Sequence, residues 1–324
     1  MQEIAMNKGN RLWMIQELRQ TRPRLVRGFV ELNRQATLEA KKPRPKIIAV
    51  DPLDGIDVTK EYKKVRTLIE DGNPVVFVGG KAGSGKSTMI RYLENTLDRR
   101  LAVVAPTGVA ALNVGGVTVH SFFHFPPKIH EEKDIKRVYD RELYQKLELL
   151  IIDEVSMVRC DLMDSVDKFL RKNRSNNSPF GGVQLLLIGD LFQLPPVVQK
   201  HEWDVLEAKG YKSPYFFSAF SLQKTSMIPL ELTSIFRQKD PFFIELLDRI
   251  RIGDKSDLVI AEVNRQCIQK KALRTDITLT CTNAKADQIN SEELQRLASN
   301  RMLKNSPNTS NFTQKKLLPP TYLY

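Results

Sequence analysis

The sequence predicts an α/β protein in which helices cover both faces of a parallel β-sheet. Short apolar runs recur through its first two thirds, and each run is continuously apolar, as expected of a strand buried on both faces. These runs lie at 75–78, 101–104, 149–152 and 183–188. Helical spacing of apolar residues fills gaps between them, at 86–98, 140–147 and 161–172. Strands that alternate with helices favour a parallel sheet because each crossover connection needs about a dozen residues or more.

Three zones follow one another along the 324 residues. Residues 1–50 form a basic extension with a mixed helical pattern, and residues 51–240 form the α/β domain, with a small insertion near 125–139. From Pro241 the pattern restarts. There we expect helices directly after Pro241, near 255–268 and at 284–297, a strand at 277–281, and then a tail without periodicity. Residues 241–324 are therefore predicted to be a partial second α/β unit with an irregular tail.

The formal net charge of +12 is concentrated at the two ends of the chain. Residues 1–50 hold 11 basic and 4 acidic side chains, and residues 265–324 hold 10 and 4. Basic flanks can bind a polyanion such as nucleic acid or simply keep a chain soluble, and composition does not choose between the two. The apolar runs are too short to span a membrane, the first residues lack the apolar core of a secretory signal, and three scattered cysteines form no disulfide framework. We therefore expect a soluble intracellular protein of the cytoplasm or nucleus.

The strongest local motif is the loop GKAGSGKS at 80–87, which has the pattern GxxxxGK[ST]. It follows an apolar run and precedes a helical segment, as the motif requires. Its glycines allow a tight turn whose backbone N–H groups point at an anion. The sequence therefore predicts a nucleoside triphosphate site in which Lys86 reaches the β- and γ-phosphates and Ser87 offers a hydroxyl to Mg²⁺. The residues expected to hold the nucleotide here are Gly80, Ala82, Gly83, Ser84, Gly85, Lys86, Ser87 and Thr88.

Two later segments supply the groups that hydrolysis needs. Asp153 and Glu154 follow the run at 149–152, where Asp153 can hold Mg²⁺ through its water shell and Glu154 can act as a general base toward water. Without the upstream loop, an Asp–Glu pair after a strand would be interpreted as a helix N-cap. Gln193 follows the run at 183–188 and suits a γ-phosphate sensor, although an ordinary loop glutamine has the same appearance.

An ordered series of motifs accompanies the phosphate loop. The further blocks are APTGVAA at 105–111, GVTVHSFF at 116–123, IDEVSM at 152–157, DLMD at 161–164 with PFGG at 179–182, GDLFQLPPV at 189–197, LELTSIFRQ at 230–238 and, more weakly, CTNAKADQIN at 281–290. In this order they resemble superfamily-one DNA helicases of the PIF type, with RecD-type enzymes as nearest relatives. The resemblance covers residues 58–297, and the region between Asp161 and Gly182 favours the PIF type.

The resemblance implies a P-loop NTPase of RecA-like fold that uses ATP and Mg²⁺. It implies movement 5′-to-3′ on single-stranded DNA and unwinding at duplex junctions, in DNA repair, recombination, replication and telomere maintenance. It makes Arg237 an arginine finger on the γ-phosphate and Phe236 an aromatic ring that stacks on the base, in keeping with the chemistry of both side chains. Core packing beside a surface cation is the alternative interpretation of this pair.

The resemblance also implies a strand-binding surface. At one position of the nucleotide site, the sequence departs from the family pattern. Side chains of types suited to backbone contact and base stacking are Thr107, Gly108, His120, Ser121 and Phe123, although a histidine beside phenylalanines also suits a core. The insertion at 125–139 lies where the family has a small wedge subdomain. Tyr62 stands where the family has a glutamine that reads the adenine edge, and because a phenol cannot match an amide's donor–acceptor pair, strict ATP preference stays open.

The family continues into a complete second motor lobe, which the residues up to Tyr324 do not match. We therefore expect this chain to bind nucleotide, hydrolyse it slowly and unwind DNA poorly or not at all. Two other functions stay open: a nucleic-acid-binding ATPase module that does not unwind, and a P-loop ATPase unrelated to nucleic acid. Stimulation of hydrolysis by single-stranded DNA at low salt separates the last from the others.

Overall fold

The computed structural model describes residues 56–267 and 278–299. The chain divides into two compact units, Met1–Glu245 and Leu246–Tyr324. The predicted basic extension at 1–50 and the tail after residue 299 lie outside the described residues.

A six-stranded parallel sheet forms the centre of the first unit. Its strands are β1 (Val75–Gly80), β2 (Leu101–Ala105), β3 (Val117–Thr118), β4 (Leu149–Ile152), β5 (Gln184–Gly189) and β6 (Met227–Leu232). Their order across the sheet is β3-β2-β4-β5-β1-β6. The predicted parallel sheet is confirmed, and the four apolar runs coincide with β1, β2, β4 and β5 to within two residues at each end.

Eight helices of the described chain precede residue 240, and a ninth begins at Pro241. They are α1 (Lys60–Glu70), α2 (Lys86–Thr96), α3 (Gly108–Asn113), α4 (Val119–Phe123), α5 (Glu142–Lys146), α6 (Cys160–Arg174), α7 (Lys200–Ala208), α8 (Phe220–Gln223) and α9 (Pro241–Arg251). The three segments with helical spacing therefore became α2, α5 and α6. The elements additional to what the apolar pattern predicted are helices α1, α3, α4, α7 and α8 and the edge strands β3 and β6.

Successive residues of the central strands face opposite layers of helices. Val76 and Ile151 are buried with residues of α1 and α2, such as Ile69 and Met89. Their neighbours in sequence face the second layer, where α6 contributes Met163, Val166 and Phe169 to a separate core cluster. Because both faces are covered, every residue of β2, β4 and β5 is buried, which accounts for their apolar sequence. The exception is Gln184 at the start of β5, whose side-chain amide donates to the carbonyls of Ile69 and Asn73.

In its described part the second unit contains two further helices, α10 (Asp257–Cys267) and α11 (Asn283–Ser299). These agree with the helices expected near 255–268 and at 284–297. The strand expected at 277–281 is not formed in its described portion, because residues 278–282 have no regular secondary structure and Leu279 is exposed. A strand needs a hydrogen-bonded neighbour, and none of the described residues of this unit forms one.

Candidate nucleotide-binding site

The phosphate loop turns from β1 into α2 at the carboxyl edge of the sheet. Gly85 occupies the N-cap position of α2 with φ +87°, a left-handed conformation that favours glycine. Gly83 is also left-handed, with φ +79°. The Lys86 Nζ donates to the carbonyl oxygens of Gly80 at 2.7 Å and of Lys81 at 3.0 Å, so the ammonium group lies against the loop. The backbone conformation and the nearby cation are both of the kind that the predicted anion site requires.

Asp153 and Glu154 lie directly after β4. Asp153 is 5% exposed, and its Oδ1 has no hydrogen-bond partner among the described residues. Burial, with a smaller contribution from the charge of Glu154, raises the pKa of Asp153 to about 6, while a backbone hydrogen bond and the Lys86 cation act to lower it. An unpartnered, buried carboxylate oxygen beside a phosphate loop suits a cation ligand.

Glu154 has an unusual backbone conformation for a residue with a side chain, with φ +49° and ψ +43°. It precedes a single 3₁₀ turn at Val155–Met157, and its side chain makes no capping hydrogen bond to that turn among the described residues. Glu154 therefore occupies the N-cap position of this turn, but its side chain does not cap it. Positive φ at a non-glycine residue costs free energy, and such conformations concentrate at functional sites.

One cavity of about 380 Å³ gathers the groups that the sequence scattered over 150 residues. Its lining includes Ser87, Thr107, Asp153, Glu154, Gln193 and Arg237. Lys86 is close enough for its charge to lower the pKa of Asp153. The side chains predicted to surround the terminal phosphate of a nucleotide thus share one site, because the carboxyl ends of β1, β4, β5 and β6 meet at the same edge of the sheet.

Gln193 is held by a residue that the sequence analysis did not select. Its Nε2 donates to the Asp190 carboxylate at 3.0 Å, and the same carboxylate accepts the Phe192 N–H at 3.1 Å. Asp190 itself is 1% exposed at the end of β5. The signal that could have identified Asp190 in the sequence is its position, three residues before the candidate sensor. An acid at that spacing can orient the Gln193 amide.

The Phe236–Arg237 segment, which follows β6, packs directly on the phosphate loop. The Phe236 N–H donates to the Gly83 carbonyl at 2.9 Å. A Cβ on Gly83 would lie 2.6 Å from the Arg237 Cβ, so only glycine permits this approach. The Phe236 ring is 44% exposed beside Gly85 and keeps a face available for stacking. The core-packing interpretation therefore does not fit Phe236.

Tyr62 is buried against the backbone of the phosphate loop. Its side chain is 1% exposed on α1, and its hydroxyl donates to the Gly85 carbonyl at 2.9 Å. This geometry contradicts the expectation that Tyr62 contacts the base. The reason is that α1 packs its apolar face on the sheet beside α2, which buries the ring in the core.

The candidate strand-binding residues fall into two places. Thr107 N-caps α3, where its Oγ1 accepts the Ala110 N–H at 3.2 Å, and it also lines the nucleotide cavity. Gly108 follows it in an exposed position. His120 and the exposed Ser121 lie on α4, where burial and the nearby His130 lower the pKa of His120.

Phe123 is a correction to the expected strand-binding surface. Its ring is 1% exposed and packs against the rings of Phe125, Phe169 and Tyr144. It is therefore a core residue that cannot present a face to a base. Helix α4 has only five residues, so the exposed Ser121 and the buried Phe123 lie on different sides of little more than one turn.

The insertion at 125–139 docks on α6. His130 shares a 3.0 Å hydrogen bond with Ser165, and the Lys172 Nζ donates to the Ile135 carbonyl at 2.8 Å. Asn173 accepts the Val138 N–H at 2.8 Å. The insertion has one 3₁₀ turn, Glu132–Asp134, in otherwise irregular chain, and side-chain hydrogen bonds anchor its middle and its second end to α6.

Fold and site together define a P-loop nucleoside triphosphatase, because a phosphate loop joins a buried parallel strand to a helix and an acidic pair ends a neighbouring strand. The family model described as PIF1-like helicase matches residues 57–259. The chain belongs to the PIF1-like helicase family. Among the described residues, no helix combines the length and apolar character that crossing a membrane demands.

Two curated relatives illustrate the match. The ATP-dependent DNA helicase PIF1 of Emericella nidulans is 36% identical over 259 residues, which cover 75% of this chain and 33% of the relative. The human protein of the same name is 36% identical over 215 residues, covering 64% of this chain and 31% of the relative. The chain thus spans about a third of the length of the curated relatives it matches.

Solved structures agree with the fold. A Bacteroides Pif1 helicase in complex with ADP-AlF3 and single-stranded DNA is 40% identical, with a TM-score of 0.68, over 73% of this chain and 57% of that chain. Pif1 helicase from Candida albicans is 32% identical, with a TM-score of 0.61, over 74% of this chain and 55% of that chain. The predicted RecA-like fold class is confirmed by these likenesses.

Proposed function

We propose that this chain carries the ATP-hydrolysing lobe of an ATP-dependent DNA helicase that moves 5′-to-3′ on single-stranded DNA and opens duplex junctions. The observation that carries the proposal is the single cavity lined by Ser87, Asp153, Glu154, Gln193 and Arg237. Family membership and the helicase activity named for the relatives support the choice of nucleic acid over other partners.

Nucleotide binding is assigned to the phosphate loop. The backbone N–H groups at the start of α2 and the Lys86 ammonium are the donors for the β- and γ-phosphates. For this purpose Lys86 exchanges its bonds to the Gly80 and Lys81 carbonyls for phosphate oxygens. The exposed Phe236 ring beside Gly85 supplies a stacking surface for the base.

Magnesium is assigned to Asp153 and Ser87, which fit it chemically. Both offer oxygen, the donor that Mg²⁺ prefers, and Asp153 has the unpartnered buried oxygen described above. The described residues contain no cluster of three or more His, Cys, Asp and Glu side chains able to hold a metal by themselves. That agrees with an ion shared between one carboxylate, a hydroxyl, water and phosphate. When bound, the ion neutralises charge on the phosphates.

Hydrolysis is assigned to Glu154, Gln193 and Arg237. Glu154 accepts a proton from the attacking water, and Gln193, oriented by Asp190, donates to the phosphate and accepts from the same water. Arg237 stabilises the charge that develops on the transferred group. Because the Arg237 backbone packs on Gly83, the position of the arginine finger is fixed relative to the phosphate loop.

A strand-binding surface is proposed at Thr107, Gly108, His120 and Ser121, without Phe123. Thr107 also lines the nucleotide cavity, so a contact there places the strand next to the site of hydrolysis. This adjacency supports coupling between nucleotide state and grip on the strand.

The test compares ATP hydrolysis with and without single-stranded DNA at low salt, followed by strand displacement on a forked duplex. We expect DNA to stimulate hydrolysis and added salt to reduce the stimulation, because phosphate contacts release counterions. Lys86→Ala is the matched negative control. Hydrolysis that DNA does not stimulate would remove nucleic acid from the proposal, and stimulated hydrolysis without displacement would assign the chain to a non-unwinding ATPase module.

A further inference from the structure

We infer that Tyr62 is a positioning residue of the phosphate loop, whose hydroxyl fixes the Gly85 carbonyl at the start of α2 and does not read the nucleotide base. The inference rests on the proposed function, since it concerns the nucleotide site assigned there. It adds a role for a side chain that touches neither phosphate nor base.

The Gly85 carbonyl accepts two hydrogen bonds at the point where loop becomes helix. One is the Met89 N–H at 2.8 Å, which is the first helical bond of α2. The other is the Tyr62 hydroxyl at 2.9 Å. A carbonyl oxygen has two lone pairs, so both donors are accommodated and the acceptor is saturated. Tyr62 therefore restrains the same peptide group that starts the helix.

This restraint leaves the anion donors available. A Ser, Thr or Asp at an N-cap usually accepts a backbone N–H of the first turn, which would occupy donors needed for phosphate. Gly85 has no side chain and cannot do so. Tyr62 stabilises the helix start from the opposite, carbonyl side, so its hydrogen bond occupies none of the loop N–H groups.

The space around Gly85 shows how closely the loop is held. A Cβ on Gly85 would lie 2.1 Å from the Tyr62 hydroxyl oxygen and 3.3 Å from the Phe236 ring. The Cβ side of Gly85 thus faces both a buried phenol from α1 and an exposed ring from the segment after β6. Of these two rings, only that of Phe236 has a surface on which a base can stack.

Contacts of its backbone and of its ring fix the position of Tyr62. Its backbone N–H donates to Thr59 Oγ1 in the N-cap of α1, and its ring lies 6.0 Å from the Tyr92 ring of α2. Burial raises the pKa of the Tyr62 phenol, so the hydroxyl stays protonated and able to donate at neutral pH.

The experiment measures equilibrium binding of ADP and GDP to the full chain carrying Tyr62→Phe. We expect both dissociation constants to rise by roughly fivefold, which corresponds to the loss of one hydrogen bond. The ratio of the ADP dissociation constant to the GDP dissociation constant should stay unchanged. Tyr92→Phe is the matched control, because it also removes a hydroxyl from a tyrosine buried in the same core. The Tyr92 hydroxyl interacts with Arg66 and not with the loop. It should leave both constants within about twofold of the wild-type values.

Each other result decides against the inference in a different way. A loss confined to ADP would make Tyr62 a base-reading residue. Unchanged affinities in Tyr62→Phe, or loss of cooperative thermal unfolding in Tyr62→Phe but not in Tyr92→Phe, would leave the hydroxyl with a role in the core alone. Wild-type chain that binds neither nucleotide would instead remove the proposed function itself.

Discussion

The carbonyl oxygen of Gly83 accepts a hydrogen bond from the backbone N–H of Phe236 at 2.9 Å, so the phosphate loop and the arginine-bearing segment are joined through their main chains. The two segments lie more than 150 positions apart in sequence. Because this hydrogen bond joins them, a shift of one segment displaces the other, and the nucleotide is proposed to contact both. This connection makes the glycine a test of the proposed finger.

Gly83→Ala should lower turnover strongly. The new methyl group would meet the Arg237 Cβ at 2.6 Å, and a displacement of about 1 Å in a catalytic group can cost about 10²-fold in rate. Gly72→Ala is the matched control, because Gly72 has the same φ of +79° and a Cβ there meets open space in the described structure. Both variants should lose about 1–2 kcal/mol of stability. Equal ATP turnover in the two variants would show that Arg237 is not displaced.

Lys86→Ala and Glu154→Gln should fail differently. The first removes the cation that reaches the phosphates, so the dissociation constant for ATP should rise. The second removes only the base, so binding should persist while turnover falls by about 10²–10⁴-fold. Binding of a slowly hydrolysed ATP analogue and single-turnover hydrolysis separate the two. Similar loss of affinity in both variants would contradict the role given to Glu154.

Asp190→Asn should lower turnover through Gln193. The substitution leaves one acceptor oxygen for two donors that now bond separate carboxylate oxygens, the Phe192 N–H and the Gln193 Nε2, and the new N–H₂ cannot accept from either. A double-mutant cycle with Gln193→Ala measures the connection, and we expect a coupling of about 1 kcal/mol in the activation free energy. Additive effects of the two substitutions would mean that Asp190 does not act through Gln193.

Phe123→Ala should destabilise the fold and Ser121→Ala should not. Removing a fully buried ring costs about 3–5 kcal/mol, whereas an exposed serine changes stability by about 0.5 kcal/mol or less. Urea unfolding measures the difference, and single-stranded DNA binding by Ser121→Ala tests the proposed surface. A Phe123→Ala protein of wild-type stability that has lost DNA binding would restore the original expectation for this ring.

Cys160 should resist alkylation in the folded protein. Its side chain is fully buried, and burial raises the pKa of its thiol to about 12, so the reactive thiolate is scarce at pH 8. Cys281 is exposed and should react. Mass spectrometry after brief iodoacetamide treatment, with and without urea, locates the labelled sites. Rapid labelling of Cys160 without urea would show that the α6 region opens readily.

Local features of the chain carried most of the fold prediction. The runs that became β1, β2, β4 and β5 are recognisable because strands covered on both faces must be apolar throughout. Strand β6 lacks this signal, since it contains Pro229 and is only partly buried. It lies at the edge of the sheet, where proline is tolerated because one side of the strand has no ladder to complete.

The sequence by itself determined the phosphate loop, the acidic pair and four of the six strands, because spacing and residue type set these locally. Only the tertiary structure decided which aromatic side chains are buried and which are exposed to solvent. Tyr62 turned inward to hold Gly85, Phe123 joined the core, and Phe236 kept its ring exposed. Burial depends on which helices pack against a face, and that packing is a property of the assembled sheet that no short motif encodes.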